Sequence, residues 1–480
     1  MQILHVSSEV APFAKVGGLA DVVMGLSRNV QAKGHDVHII IPSYQCIDRD
    51  HLLCTGRVET FTTQLHGRSH TATVSYFLFD EKISVLLLDT EDGYWSQLTS
   101  IYGDDVERFT FFCRAVADWL NVTQLSPDII HLHDWPAALL PVVAPIRGYT
   151  KGRFVLTMHN FESQGRCTWD ELSSVGIYPE NVEKNLLQDP DASALNLVKG
   201  GLLSSGRVTT VSPTYAKEVM TAEFGLGLES VLKGIQKKFS GVLNGIDTSY
   251  WDPQTDGFLF QRYHFGQGYE KICAAKQYNK KALFDHLQLP LKEGTPLLSG
   301  ITRLVPQKGI WLLHELLSQA EELDFQVILL GSVPVPAAEA PFKELDMLLR
   351  KQGRGAVLFG CDEKCAHRLF AASDIFVAPS LFEPCGLTQL ISFRYGTVPV
   401  VRRTGGFSDT VVDVSKGDEA NGFSFTSPLS SSFRRAVIAA LEWYQHKEWW
   451  KDLVMRGMAQ DFSWEKPSEE YIDLYHQTLV

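Results

Sequence analysis

The segment 379–390 reads Pro-Ser-Leu-Phe-Glu-Pro-Cys-Gly-Leu-Thr-Gln-Leu, and the second half of the chain can be interpreted around it. Residues 374–378 form an apolar run that predicts a buried parallel strand, and residues 388–394 have the composition of a short helix. A tight turn between a strand and a helix directs backbone N–H groups toward an anion. Glu383 follows the strand, at the edge where doubly wound sheets bind ligands. The segment therefore predicts a ligand site in an α/β domain.

Length and charge limit the classes of protein to be considered. A chain of 480 residues exceeds one hydrophobic core, so we expect two domains or more. The net charge of -12 argues against nucleic acids and acidic membranes as partners, because both bind basic patches. The chain opens directly on a strand-like run, with no signal segment, and no 18-residue apolar run follows. We therefore expect a cytoplasmic protein with no membrane partner.

Strand and helix patterns alternate along the first half of the chain. Residues 2–6, 19–33 and 37–41 predict a strand, a helix and a second strand, which together form a βαβ unit. A helix is predicted at 106–120, and further strands at 73–79, 84–88, 128–131, 154–157 and 208–211. This alternation predicts a doubly wound α/β domain.

A second α/β run follows the segment 243–253, which is expected to end the first domain and to act as a hinge. Helices are predicted at 270–287, 433–444 and 468–477, and strands at 297–301, 326–330, 356–359, 374–378 and 398–401. The predicted architecture is α/β, with two Rossmann-like doubly wound domains facing a central cleft. The first domain would comprise 1–245, completed by the C-terminal helix 460–480, and the second would comprise 246–459.

The first strand-to-helix loop contains a lysine and two glycines. Gly17 and Gly18 allow a ligand to approach the backbone, N–H groups at the helix start favour negative charge, and Lys15 adds a cation. A purely structural glycine turn beside a solvent-exposed lysine explains these residues equally well. The G-x-G-x-x-G fingerprint is absent from this loop and from the first strand of the second domain, which argues against NAD or FAD.

Polar residues also end two other strands of the first domain. His131 and His133 share a face of one strand, as a metal pair would, but no third ligand stands at a recognisable spacing. His159 and Asn160 follow another strand, and we expect the two strand ends to converge on a polar site.

Cys361 and Cys365 also lack the partners of a zinc site, so reduced thiols are expected. The Asp-x-Asp motif at 48–50 is interpreted as a surface loop.

The second domain adds local cations. Arg303 and Lys308 would flank the start of a helix after its first strand, an arrangement suited to a diphosphate, although two surface cations remain the alternative. Gly405 and Gly406 follow the strand at 398–401 and predict another anion-binding turn. With Glu383, these groups predict a site for a polyanion and a neutral polyhydroxyl group.

The motifs taken together resemble those of bacterial glycogen synthase and plant starch synthase. The resemblance covers nearly the whole chain in the right order, and it rests on the motifs at 15–21, 133–135, 159–160, 243–247, 303–309, 382–390 and 403–406. It implies a two-domain GT-B enzyme of glycogen biosynthesis. Such an enzyme transfers glucose from ADP-glucose to the 4-hydroxyl at the non-reducing end of an α-1,4-glucan, with retention and with neither metal nor cofactor.

The resemblance also implies roles for individual residues. Those expected to act in catalysis are Arg303, Lys308, Glu383, His159 and Asp134. Those expected to bind donor or acceptor are Lys15, Gly17, Gly18, Asp21, His133, Trp135, Asn160, Asn244, Cys385, Gly386, Leu387, Thr388, Gly405 and Gly406.

Two positions depart from the pattern of related enzymes. Ile391 stands where many retaining GT-B enzymes carry a second glutamate, so a ribose clamp of two carboxylates is not expected. Cys361 stands where relatives can carry an aromatic residue that would stack on adenine, which leaves the preference for ADP over UDP open. The alternatives are another retaining GT-B transferase, which uses UDP-glucose or makes a small glucoside, a glucan phosphorylase dependent on pyridoxal phosphate, and a non-catalytic protein that binds a sugar nucleotide or a glucan.

Overall fold

The structure is a computed structural model that describes residues 1–80, 82–103, 105–149, 153–190, 194–360 and 362–480. The chain forms two compact units, one of Met1–Gly245 with Trp464–Val480 and the other of Ile246–Ser463. The sequence predicts that the C-terminal segment of the first unit begins at residue 460, whereas in the structure it begins at Trp464. No helix in the described ranges combines the length and the apolar character that crossing a membrane requires.

The first unit is built on one large mixed sheet. Its strands are β1 (Gln2–Val6), β2 (Asp36–Pro42), β3 (Leu53–Leu65), β4 (Arg68–Phe79), β5 (Ile83–Thr90), β6 (Ile129–His133), β7 (Arg153–Met158), β10 (Arg207–Thr210) and β11 (Phe239–Gly241). A separate short pair is formed by β8 (Arg166–Cys167) and β9 (Leu195–Asn196). The strand order is β11-β10-β7-β6-β1-β2-β5-β4-β3.

Parallel pairing runs from β11 to β5, and β5, β4 and β3 pair antiparallel at one edge. Strand β3 was not predicted. Its first half is polar and exposed, so the alternation that marks a half-buried strand begins only near its end. The strand order reverses direction between β1 and β6, which makes the carboxyl ends of these two strands the expected ligand crevice of the unit.

Helices cover the sheet of the first unit. They are α1 (Gly18–Ala32), α2 (Asp105–Leu120), α3 (Leu140–Ile146), α4 (Trp169–Ser174), α5 (Leu197–Ser204), α6 (Pro213–Glu218) and α7 (Glu229–Gly234), with 3-10 turns at Trp135–Ala137 and Pro179–Asn181. Buried apolar residues from the sheet and these helices form the core.

The second unit has a fully parallel sheet. Its strands are β12 (Leu297–Ile301), β13 (Gln326–Gly331), β14 (Gly355–Phe359), β15 (Ile375–Ala378), β16 (Val398–Arg402) and β17 (Phe423–Phe425). Their order, β14-β13-β12-β15-β16-β17, is the Rossmann order 3-2-1-4-5-6. The switch point therefore lies between β12 and β15, and Glu383 follows one of these strands. Strand β17 was not predicted.

The helices of the second unit are α8 (Tyr269–His286), α9 (Ile310–Leu317), α10 (Pro336–Gln352), α11 (Glu363–Ala372), α12 (Thr388–Arg394), α13 (Gly405–Thr410), α14 (Ser430–Gln445) and α15 (Lys447–Ala459). Short 3-10 segments occur at Phe265–Gln267, Pro306–Lys308 and Val414–Glu419. A last helix, α16 (Glu465–Leu479), belongs to the first unit.

Helix α16 packs on α1 and on the sheet of the first unit. The Trp464 ring lies so close to α1 that a Cβ added at Gly25 would stand 2.1 Å from the indole nitrogen. Tyr471 and Tyr475 are fully buried, and the Tyr475 hydroxyl lies 2.8 Å from Nδ1 of His131. The C-terminal helix therefore contributes to the core of the N-terminal sheet.

Candidate active site

An ion pair stands at the switch point of the second unit. Nζ of Lys308, which follows β12, lies 2.6 Å from Oε2 of Glu383, which follows β15. The hydroxyl of Ser380 donates to the same oxygen at 2.9 Å. The side chain of Glu383 is 8% exposed and that of Lys308 is 21% exposed, so the carboxylate is held in place while the ammonium group keeps access to solvent.

Three strand-end loops meet around this pair because two glycines leave room for them. Gly309 has a φ of 65°, and a Cβ there would lie 2.1 Å from the Pro379 carbonyl oxygen. Gly405 has a φ of 44°, and a Cβ there would lie 1.9 Å from the Glu383 carbonyl oxygen. Side chains are excluded at both positions by conformation and by space. The glycine turn predicted to bind an anion thus also fixes the backbone of Glu383.

The other predicted residues of the second unit lie along the same loops. Arg303 is exposed after β12. The N–H of Gly406 donates to the Glu383 carbonyl at 3.1 Å. Cys385 is buried, while Gly386, Leu387 and Thr388 are half-buried at the start of α12. Cys361, the position expected near the nucleotide base, lies outside the described residues.

The first loop of the first unit is organised by a residue that the sequence did not single out. The carboxylate of Glu9 accepts hydrogen bonds from the N–H groups of Val16 at 2.6 Å and Gly17 at 3.0 Å, and from the Tyr102 hydroxyl at 2.5 Å. Two N–H groups just before α1 therefore already have an acceptor within the chain. The only sequence signal was one acidic residue in the otherwise weakly polar loop after β1.

Lys15 and the glycines of this loop have different surroundings. Nζ of Lys15 lies 2.9 Å from a carboxylate oxygen of Asp21 in the first turn of α1, and both side chains are about one-third exposed. Gly17 has extended backbone, and a Cβ added there would meet no atom within 4 Å. Gly18 is the first residue of α1. The space beside Gly17 is thus open to a ligand.

The ends of β6 and β7, which the sequence predicts to converge, are joined by Asp134. Its Oδ1 accepts from the backbone N–H of His159 at 2.6 Å and of Asn160 at 3.2 Å. Asp134 has a φ of 59°, uncommon for a residue other than glycine. Burial raises the pKa of Asp134 to about 7, against the two backbone donors that favour its ionised form, and the charge of Glu9 adds to the rise.

Behind Asp134 lies a cluster of four histidines. Nδ1 of His5 lies 2.9 Å from Nε2 of His133, and Nδ1 of His133 lies 3.1 Å from Nε2 of His159. Both ring nitrogens of His131 have other partners, the hydroxyls of Tyr475 at 2.8 Å and Thr157 at 2.6 Å. Burial lowers the pKa of all four imidazoles.

The fold supplies the third histidine that sequence spacing did not show. Ring nitrogens of His5, His131 and His133 lie within 4.8 Å of one another. A metal ion bound by these three rings would have to break hydrogen bonds that the rings make with protein groups, including those of both nitrogens of His131. The cluster is better described as a hydrogen-bonded core of neutral rings.

Two further predicted residues belong to the first unit. Trp135 is half-buried, and its ring packs edge-on against Phe109 with centroids 5.2 Å apart. Asn244 is buried after β11, and its side-chain oxygen has no hydrogen-bond partner among the described residues. A buried amide oxygen without a partner is a feature that a bound ligand could satisfy.

Two Rossmann-like units with polar groups at their switch points, and a lysine–glutamate pair in the second, fit a glycosyltransferase of the GT-B class. Residues 2–234 match the family model described as starch synthase catalytic domain, and residues 283–452 match that of glycosyl transferases group 1. The chain is 40% identical to glycogen synthase of Protochlamydia amoebophila over 99% of both proteins.

Solved structures agree with this class. The catalytic domain of starch synthase IV from Arabidopsis thaliana, bound to ADP and acarbose, superposes with a TM-score of 0.92 at 38% identity over 99% of each chain. Sucrose-phosphate synthase from Thermosynechococcus elongatus, 15% identical over 99% of this chain and 98% of its own, has a TM-score of 0.63 and supports the fold alone. The chain belongs to the glycogen and starch synthase family.

Proposed function

We propose that the protein transfers glucose from ADP-glucose to the 4-hydroxyl at the non-reducing end of an α-1,4-glucan, with retention of configuration, in glycogen biosynthesis. The observation that carries this proposal is the similarity, along essentially the whole chain, to a starch synthase domain bound to ADP and acarbose. ADP would be the leaving group of such a reaction, and a linear glucan its acceptor.

The second unit would hold the activated donor. Breaking the anomeric C–O bond places negative charge on the departing diphosphate, and fixed cations stabilise that charge without a metal. Lys308 and the exposed Arg303 are the cations proposed for this role. Glu383, held by Lys308 and Ser380, would accept hydrogen bonds from sugar hydroxyls. The backbone from Cys385 to Thr388 and the turn at Gly405 and Gly406 would contact sugar and phosphate.

The first unit would contribute the sugar and acceptor side. Lys15, Gly17 and Gly18 would face the donor, with Asp21 supporting Lys15. His133, Asp134, Trp135, His159, Asn160 and Asn244 are the other residues proposed here. The departing phosphate oxygen can itself take the proton of the acceptor hydroxyl, so no separate general base is needed. Exclusion of water would then favour transfer over hydrolysis.

Incorporation of labelled glucose into glycogen tests the proposal. ADP-glucose and UDP-glucose are supplied in parallel to the purified protein, and we expect polymer-bound label from ADP-glucose. Label from UDP-glucose alone would identify the alternative donor. Release of glucose 1-phosphate that depends on inorganic phosphate, together with pyridoxal absorbance, would identify a phosphorylase instead.

A further inference from the structure

A chain of three imidazoles leads from the core of the first unit to the predicted active-site residue His159. Resting on the proposed function, we propose that this chain holds His159 in one tautomer, with the proton on Nδ1, so that His159 is a fixed hydrogen-bond donor toward substrate. His5 and His133 are then positioning residues that act through His159.

Two short nitrogen–nitrogen contacts link the three imidazoles. Nδ1 of His5 faces Nε2 of His133 at 2.9 Å, and Nδ1 of His133 faces Nε2 of His159 at 3.1 Å. His5 and His133 are fully buried, whereas His159 is half-buried at the carboxyl end of β7. One hydrogen must lie in each gap, and a neutral imidazole has one N–H and one bare nitrogen. The tautomers of the three rings are therefore coupled.

The innermost ring, His5, determines the direction in which the three imidazoles donate to one another. Nε2 of His5 is buried and has no hydrogen-bond partner among the described residues. Buried N–H groups without a partner are rarer than buried acceptors without one. The bare nitrogen of His5 is therefore Nε2, and its Nδ1 donates to His133. His133 then donates from Nδ1 to Nε2 of His159, which leaves the proton of His159 on Nδ1.

The opposite direction would bury an unpaired N–H. His159 would donate from Nε2 to His133, and His133 would donate from Nε2 to His5. The proton of His5 would then lie on Nε2, which has no acceptor among the described residues. Neutrality of the rings supports the coupling, because burial lowers the pKa of His5 and of His159 to about 3. A protonated ring would carry an N–H on both nitrogens and would no longer relay the direction of the chain.

The chemical consequence concerns the substrate. Among the described residues, the hydrogen bond of the His159 ring is the one between Nε2 and His133, so Nδ1 is left for a ligand. In this tautomer Nδ1 can donate to a sugar hydroxyl oxygen but cannot accept from a hydroxyl. In the other tautomer it could only accept. The buried imidazoles thus set the hydrogen-bonding role of a residue that would touch the sugar.

Nitrogen NMR of the full-length protein with 15N-labelled histidine tests the direction. The His159 signals are assigned by comparison with His159→Asn, and we expect Nδ1 to be protonated and Nε2 to be bare. His5→Leu removes the first donor and should give a mixture of His159 tautomers, with glucosyl transfer from ADP-glucose reduced about tenfold in kcat. His5→Asn keeps an amide donor near the position of Nδ1, so it should restore both the single tautomer and most of the rate.

His131→Asn is the matched control. The ring of His131 lies 4.2 Å from that of His133 between centroids, but its hydrogen bonds go to Tyr475 and Thr157 rather than along the chain. We expect the His159 tautomer to survive this change. A wild-type proton on Nε2 of His159, or an equal loss of tautomer in His131→Asn and His5→Leu, overturns the inference. Absence of glucosyl transfer would instead refute the proposed function, because the tautomer is measured without substrate.

Discussion

Nζ of Lys308 and Oε2 of Glu383 lie 2.6 Å apart at the carboxyl ends of β12 and β15, the two strands between which the sheet order of the second unit reverses. The cation proposed for the diphosphate and the carboxylate proposed for the sugar hydroxyls therefore form an ion pair within the chain. Each group limits the positions open to the other, which prepares the site for a ligand that carries both phosphate and hydroxyl groups.

Breaking this pair should affect stability and activity differently. Lys308→Met leaves the buried carboxylate of Glu383 with Ser380 as its remaining side-chain partner among the described residues. We expect a loss of about 1–3 kcal/mol in the free energy of unfolding. The double variant Lys308→Met/Glu383→Gln should recover part of that loss, because no unpaired charge remains. Glucosyl transfer should fall by about 100-fold or more in Lys308→Met, in Glu383→Gln and in the double variant. Urea unfolding and the glycogen assay measure the two effects.

The exposed pair Lys343 and Glu339 is the control, with the same 2.6 Å separation on the surface of α10. Neutralising it should change neither stability nor transfer measurably. Transfer at the wild-type rate by Lys308→Met or Glu383→Gln would refute the roles proposed for these residues.

Gly17→Ala tests whether a ligand approaches the first loop. An added Cβ meets nothing within 4 Å, and the extended backbone of Gly17 suits any residue, so stability should change by less than about 0.5 kcal/mol. A donor lying against Gly17 would meet the new methyl group, and KM for ADP-glucose should rise about tenfold. Gly234→Ala, at the exposed end of α7 with equally open space, should leave KM unchanged. Equal KM values for the two variants would place the donor elsewhere.

Glu9→Ala should loosen the loop before α1. Oε2 of Glu9 accepts from the two backbone N–H groups and Oε1 accepts from Tyr102, and alanine removes both acceptors. We expect a loss of about 1–3 kcal/mol in unfolding free energy, together with faster amide exchange at Val16 and Gly17. Tyr102→Phe removes one donor and leaves the loop contacts in place, so exchange at these two amides should stay slow. Unchanged exchange in Glu9→Ala would contradict this account of the loop.

The raised pKa of Asp134 predicts how the stability of the protein changes with pH. Burial raises the pKa of its carboxyl to about 7 in the folded protein, above the ordinary value of 3.8. The folded state therefore binds more protons than the unfolded state between about pH 4 and 7, and the stability contributed by protonated Asp134 is lost as the pH rises through 7. Asp134→Asn cannot ionise and keeps the oxygen that accepts from His159 and Asn160.

The stability of Asp134→Asn relative to wild type should thus increase from pH 4 to pH 7, by at most about 1.4 kcal/mol per pH unit, and then level off. Chemical denaturation of both proteins at a series of pH values measures the difference in unfolding free energy. The contributions of other titrating groups are common to both proteins and cancel in this difference. A flat difference over this range would show that Asp134 is ionised throughout.

Much of the fold could be predicted because its elements are local patterns. Apolar runs such as Leu297–Ile301 and helical periodicity such as that of α2 are dictated by neighbours in the chain. Strand β3 and the short β17 escaped prediction because one is largely polar and the other has only three residues. Their pairing comes from partners that lie elsewhere in the sheet.

The class of the fold and the polar residues at the strand ends could be read from the chain, because Gly-rich turns, cations and carboxylates after apolar runs are local signals. The family followed from the resemblance of the motifs to those of known enzymes. The pairing of these residues is visible only in the folded protein. Lys308 pairs with Glu383, Glu9 holds the backbone of Val16 and Gly17, and His5 reaches His133. The members of two of these pairs are 75 and 128 residues apart, and such contacts depend on which parallel strands become neighbours. No short segment of the sequence specifies the order of the strands, because the packing of the whole sheet determines it.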